Sequence, residues 1–305
     1  MTIATLVVGI VTLFLSPALA LNPFLLILCI NLVLLLASLL VSRAPSGLYL
    51  IGAAWGGHAK VAKVLIGAGA DVNVYRYGWT MLERAAWGGH AEVARALIEA
   101  GADLNAYGGK ALMRAAEGGH VEVARVLIEA GADADVKGNH GRTALMLAAR
   151  EGHAEIAKAL IGAGADVNVY EYGETALILA AGEGHAEVAK ALIGAGADAD
   201  VKGKRGRTAL MGAARKGHAE IAKALIGAGA DADVKDNHGR TALMLAAGEG
   251  HAEVAKALIG AGADADVKGK RGRTALMGAA RKGHAEIAKA LIGAGADADV
   301  KDNHG

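Results

Sequence analysis

From residue 47 onward the chain repeats itself, and that periodicity narrows its possible folds more than any other feature. The dipeptide Gly-His recurs with histidines at His58, His90, His120, His153, His185, His218, His251 and His284, at spacings of 32, 30, 33, 32, 33, 33 and 33. A period this regular marks units that each hold one supersecondary element and bury their apolar faces only by stacking on neighbours. Composition agrees. With 44 glycines and only 4% aromatic residues, the chain cannot fill one deep globular core, yet it can fill many thin ones.

One unit, "GRTALMLAAREGHAEIAKALIGAGADVNV" (141–169), shows the local logic. Thr143 is a good N-cap for a short helix through Ala149, and Gly152 ends it and turns the chain. A second helix from Ala154 to Ile161 places Ile156, Ala159, Leu160 and Ala163 on one apolar stripe. "GAGAD" stops that helix with glycines able to take positive φ, and the remaining residues form an exposed turn.

On these residues the sequence resembles the ankyrin repeat family. The pattern G-x-T-A-L-x-x-A-A-x-x-G-H-x-E-[VI]-A-x-x-L-I-x-x-G-A-D runs through eight units within 44–305. The resemblance implies an all-α repeat solenoid of antiparallel helix pairs joined by β-turn fingers. Departures from the family pattern are visible. Its "TPLH" stands here as "TALM", which removes a proline at the helix start and one polar tether per repeat. The third repeat (108–133) has Lys110 where threonine would cap. The second glycine of "IGAGA" costs about 0.5–1 kcal/mol per repeat relative to alanine.

The resemblance further implies that partners are read by finger residues and by the exposed face of each first helix. In the N-terminal repeats those positions hold Trp55, Tyr75, Arg76, Tyr77, Trp79, Trp87 and Tyr107. Trp, Tyr and Arg dominate binding hot spots, so this is a candidate anchor patch. The competing reading is that Trp55, with Tyr49, caps the array or meets a lipid interface. Repeat five is acidic and aromatic, with Tyr170, Glu171, Tyr172, Glu174 and Glu183.

Repeat six presents Lys202, Lys204, Arg205, Arg207, Arg215 and Lys216 without an acid, and repeat eight presents Lys268, Lys270, Arg271, Arg273, Arg281 and Lys282. Repeat seven between them, with Lys235, Asp236, Asn237, His238, Arg240 and Glu249, nearly cancels. With helix layers 8–10 Å apart, the two basic faces would lie roughly 20 Å from each other, within reach of an acidic or phosphorylated protein segment. A charged surface kept for solubility is the plainer alternative, and anionic lipid headgroups are another. Nucleic acid is disfavoured, because acids return in the intervening repeats and the net charge is only +1.

Residues 2–42 carry no Lys, Arg, Asp, Glu or His. The run Pro23–Ser42 matches the ~20 residues of helix that cross a bilayer core of about 30 Å. A single helix over 2–42 would be about 60 Å long, so the prolines at 17 and 23 are read as a turn between two spans, about 3–20 and 23–42. This gives a membrane anchor over 1–43. A cleaved signal peptide ending at "ALA" (18–20) followed by one anchor is an alternative, as is a single span or buried segment. Arg43, Lys60, Lys63 and Arg76 follow the spans with Asp71 the only acid among them, which places the array in the cytoplasm.

Catalysis has no support. Zinc ligands lie near 2 Å from the ion, so histidines one repeat apart cannot share one, and "HAEIA" is not H-E-x-x-H. "DADVKDNHG" puts Lys235 and His238 where a calcium loop needs a ligand and a glycine. No cofactor is expected. The expected function is a membrane-tethered protein-recognition scaffold; a passive spacer, or the binding part of a longer protein, are the alternatives. Residues 179–239 and 245–305 are identical over 61 positions, a two-repeat unit copied whole. Since 272–297 reads like an internal repeat, the array is expected to continue beyond Gly305, and Leu276, Ile287 and Leu291 are expected to lack cover.

Overall fold

The computed structural model describes residues 46–138 and 140–303. The charge-free segment, with both expected spans, lies outside the described residues. Among the described residues no helix is long and apolar enough to cross a membrane.

Eight helix pairs follow one another among the described residues. They are α1 (Ser46–Trp55) and α2 (Ala59–Gly67), α3 (Met81–Trp87) and α4 (Ala91–Glu99), α5 (Ala106–Gly118) and α6 (Val121–Glu129), and α7 (Ala144–Glu151) and α8 (Ala154–Gly162). Then come α9 (Ala176–Glu183) and α10 (Ala186–Gly194), α11 (Ala209–Lys216) and α12 (Ala219–Gly227), α13 (Ala242–Glu249) and α14 (Ala252–Gly260), and α15 (Ala275–Lys282) and α16 (Ala285–Gly293). Within a repeat the two helices pack together, while first helices stack on first helices and second on second. This is the expected solenoid.

The predicted signals act at the atomic level. Thr143 Oγ1 accepts from the Met146 amide at 3.4 Å, and Thr175, Thr208, Thr241 and Thr274 cap their helices in the same way. The first helix ends at Glu151, two residues past the expected Ala149, and the second at Gly162, one past Ile161. Gly152 takes φ 79°, and a β-carbon there would lie 2.4 Å from Nδ1 of His185 in the next repeat. The Gly-His recurrence is therefore a packing pair between neighbours. Repeat three departs from the others. Instead of a capped start at Lys110, Tyr107, Gly108 and Gly109 adopt left-handed angles and merge into α5. The amides of Gly108 and Gly109 both donate to Asn105 O, at 3.2 and 3.1 Å.

Each repeat contributes a thin slice of core. Leu97, Leu127, Leu160, Leu192, Leu225, Leu258 and Leu291 are all 0% exposed, each stabilising by about 2 kcal/mol. The last repeat corrects the expectation for its end. Ile287 and Leu291 are buried, because they pack inside their own pair and against α14, whereas Leu276 is only half-buried and Ala280 is exposed.

Two polar ladders run through the stack. His90 Nε2 donates to Trp55 O at 2.9 Å, His120 to Trp87 O at 2.9 Å and His185 to Arg150 O at 2.9 Å. These bonds supply an inter-repeat tether, the role the lost "TPLH" histidine was expected to leave empty. In the loops, Asn73 Oδ1 accepts from the Asp103 amide at 2.8 Å, and Asp135, Asn168, Asp200, Asp233 and Asp266 accept from the following repeat likewise. The acidic turns are thus bound to backbone amides, and no cluster suited to a metal ion occurs among the described residues.

Candidate recognition surface

The fingers fall into two kinds. In repeats two and five a two-residue hairpin closes, by Arg76 paired with Trp79 and by Glu171 paired with Glu174. Its central residues must both take positive φ, a place suited to Asn-Gly. Here they are Tyr77 (54°) with Gly78 (79°), and Tyr172 (50°) with Gly173 (76°). Tyr107 (51°) and Arg205 (63°) are the other non-glycine residues in that region among the described residues. A left-handed L-residue costs roughly 1–2 kcal/mol. All four are exposed, Tyr77 to 75% and Tyr172 to 67%. Sequence reasoning placed Tyr77, Tyr107 and Arg205 on the surface but missed their strain; the signal was an aromatic or arginine directly before glycine in a tight turn.

The N-terminal aromatic residues form linked pairs. Tyr75 stacks on Tyr107 at 3.8 Å, joining the second and third fingers, and the Arg76 guanidinium lies 5.1 Å from the Tyr77 ring centre. Trp79 meets Trp87 edge to face at 5.8 Å, with Arg114 above both rings at 4.5 and 5.5 Å. Of the three tryptophans placed on recognition positions, Trp79 is half-buried at the base of its hairpin. Trp55 and Trp87 remain 66% and 50% exposed.

Beneath them lie two charges that sequence reasoning missed. Arg84 is 5% exposed, with Nη2 donating to Arg76 O at 2.7 Å and the ring centre of Trp55 5.2 Å away. Glu83, 2% exposed, completes a capping box with Thr80, the two bonds measuring 2.8 and 3.0 Å. Burial pushes the Glu83 carboxyl up, against the Thr80 amide and the charges of Lys110, Arg114 and Arg84, and burial likewise lowers Arg84. The Thr-x-x-Glu spacing was the legible signal for Glu83.

The basic repeats are identical in sequence but not in electrostatics. In repeat six, Lys204 pairs with Glu174 at 3.1 Å, Lys216 with Glu183 at 3.0 Å, and Arg207 lies 3.9 Å from Asp236. Three of its six cations thus meet acids of the neighbouring repeats, which corrects the reading of six cations without an acid. In repeat eight only Arg273 is paired among the described residues, with Asp302 at 3.6 Å. Lys268, Lys270, Arg271, Arg281 and Lys282 are exposed without an ion pair, as are Lys202, Arg205 and Arg215 in repeat six. For Lys204 against Lys270 the cause is the preceding repeat, since repeat five supplies Glu174 whereas repeat seven has Arg240 at the corresponding position.

Asp236 is also corrected, from a surface charge to a buried clasp. Its Oδ1 accepts the His238 and Arg240 amides at 2.8 and 2.9 Å, and its Oδ2 accepts Arg240 Nε and Nη2 at 3.0 and 2.7 Å. Burial would raise its carboxyl, but these donors outweigh burial and hold it below the usual carboxylate range. Glu174 is lowered in the same sense, burial being outweighed by Lys204 and Arg142.

Set against known proteins, the chain matches the family model described as ankyrin repeats (3 copies) over residues 34–108, 104–171, 169–236 and 210–302. Compared with curated proteins it has no match. The first matched segment begins ten residues before 44, where sequence reasoning starts the array. Helix pairs, turn histidines and four successive family matches lead to one conclusion: this chain belongs to the ankyrin repeat family.

Proposed function

We infer that this chain, as a member of a family whose repeats are in general protein–protein interaction modules, acts by binding another protein. We propose that this chain is a recognition scaffold whose contact surface is formed by the fingers and first-helix faces, held at a membrane by residues 2–42 with the array on the cytoplasmic side. The observation that carries the reading is the set of left-handed tips, Tyr77, Tyr107, Tyr172 and Arg205. Backbone strain kept where glycine would relieve it points to use of the side chain. All four tips are of types that dominate binding hot spots. Support for the tether is the absence of any charge over residues 2–42. The unpaired cations on the fingers and first helices of repeats six and eight suit a partner with an acidic or phosphorylated segment.

The test is capture of crosslinked partners from membranes by the full chain and by a Tyr77→Gly/Tyr172→Gly variant. These changes relieve strain, so lost capture reports lost contact and not unfolding. Retention of every wild-type partner by the variant, at wild-type yield, would rule the finger surface out. Recovery of the chain in the soluble fraction would rule out the tether.

A further inference from the structure

Between repeats seven and eight lies a hollow of about 620 Å³ on the finger-and-first-helix side. Two glycines create it. Gly248 in α13 and Gly278 in α15 face each other so closely that a β-carbon on Gly278 would sit 3.7 Å from the Gly248 α-carbon. The half-buried Met244 and buried Leu245 also line the hollow. Around this apolar floor stand Arg240, Lys270, Arg271, Arg273, Arg281 and Lys282, against one acid, Glu249. Gly182 and Gly212 face each other in the same way between repeats five and six, but there Lys204 and Lys216 are already paired with Glu174 and Glu183.

From this juxtaposition we infer that the repeat seven–eight hollow is the docking site for an acidic peptide segment of a partner protein, with one aliphatic side chain seated over Gly248 and Gly278. The inference rests on the protein-recognition reading above and names the segment that this site takes. Charge complementarity selects the acidic flanks, because Arg240 and Arg273 are paired with Asp236 and Asp302, whereas Lys270, Arg271, Arg281 and Lys282 have no ion pair and share the hollow with a single acid, Glu249. The apolar floor selects the aliphatic residue, and Glu249 with the absence of an aromatic stacking platform in the hollow disfavours nucleic acid. Docking within one inter-repeat hollow replaces a bridge between repeats six and eight.

The probe is a fluorescein-labelled peptide, Glu-Asp-Glu-Asp-Leu-Asp-Glu-Asp-Glu, and a second peptide with glycine in place of the leucine. Binding to the full chain in detergent micelles is followed by anisotropy. The wild type is expected to bind the leucine peptide with micromolar Kd, about tenfold tighter than the glycine peptide, and to lose affinity as salt rises. Arg281→Glu/Lys282→Glu weakens binding at least about tenfold, while Arg215→Glu/Lys216→Glu changes it less than about twofold. Gly248→Leu abolishes the preference for leucine. A β-carbon at residue 248 meets no atom within 4 Å and leucine favours the helix over glycine, so a melting curve of this variant serves as the folding control.

Four results overturn the site: no binding by the wild type, equal loss in the repeat-six and repeat-eight variants, a leucine preference surviving in Gly248→Leu, or easier displacement of the peptide by oligothymidine or phosphatidylserine vesicles than by unlabelled peptide. Any of these leaves partner capture by the tyrosine tips standing, since that is read by a different variant and a different assay.

Discussion

Tyr172 holds a left-handed backbone with no ring contact to offset it, so its strain is the easiest in the molecule to measure. Tyr172→Gly should raise the urea midpoint by up to about 1 kcal/mol of stability, the left-handed cost less the extra chain entropy of glycine. A fall in the midpoint would show that the tyrosine contributes to the fold. Glu83 makes the opposite demand. Its folded pKa is raised, so its contribution is fully present below the unfolded value near 4.3 and is lost as pH rises through the folded pKa. Glu83→Gln keeps an acceptor for the Thr80 amide, and is expected to be more stable than wild type at pH 7 by about 1 kcal/mol, with the gap closing as pH falls below 4. Thermal melts of both proteins across pH 3–8 check this. Glu83 was legible as a capping partner, but its burial and that of Arg84 were not. The position of Arg84 is held in later repeats by Arg114, Leu147, Leu179, Gly212, Leu245 and Gly278, and nothing in one sequence says when a first-helix arginine turns inward.

Helices and turns were the most legible elements, because threonine caps, positive-φ glycines and the apolar stripe all act within one repeat. Thr208→Ala should cost about 1 kcal/mol, as loss of an N-cap acceptor does. Gly152→Ala should cost more, at least about 2 kcal/mol, since it both forces a left-handed alanine and drives a methyl into His185. Equal urea midpoints for the two variants would contradict the Gly-His packing pair. The fingers were less legible. Their hairpins depend on which residue follows tyrosine, and their charges on which repeat lies next door. Asp236 reads as a surface charge in sequence, yet it closes its finger through four hydrogen bonds. Its depressed pKa means that this stability is present above the unfolded value near 3.9 and is lost as pH falls through the folded one.

Across the whole molecule, stability is a sum of repeats and their interfaces, so identical sequences need not behave identically. Residues 209–216 and 275–282 are the same eight residues, but Leu210 and Met211 are buried where Leu276 and Met277 are half-buried. Amide exchange should therefore be faster in α15 than in α11. The same dependence on neighbours pairs three cations of repeat six and, among the described residues, one of repeat eight, a distinction hidden from any reading of one repeat at a time. Recognition by the fingers and first helices requires that this face, and not the second helices, meets the partner. Photo-crosslinking residues placed one at a time at Tyr172 and Arg271 on the fingers, and at Lys190 and Lys256 on the second helices, test this directly. Protein adducts at the finger positions and none at the second-helix positions are the predicted result. Adducts at Lys190 or Lys256 with silent fingers would contradict it.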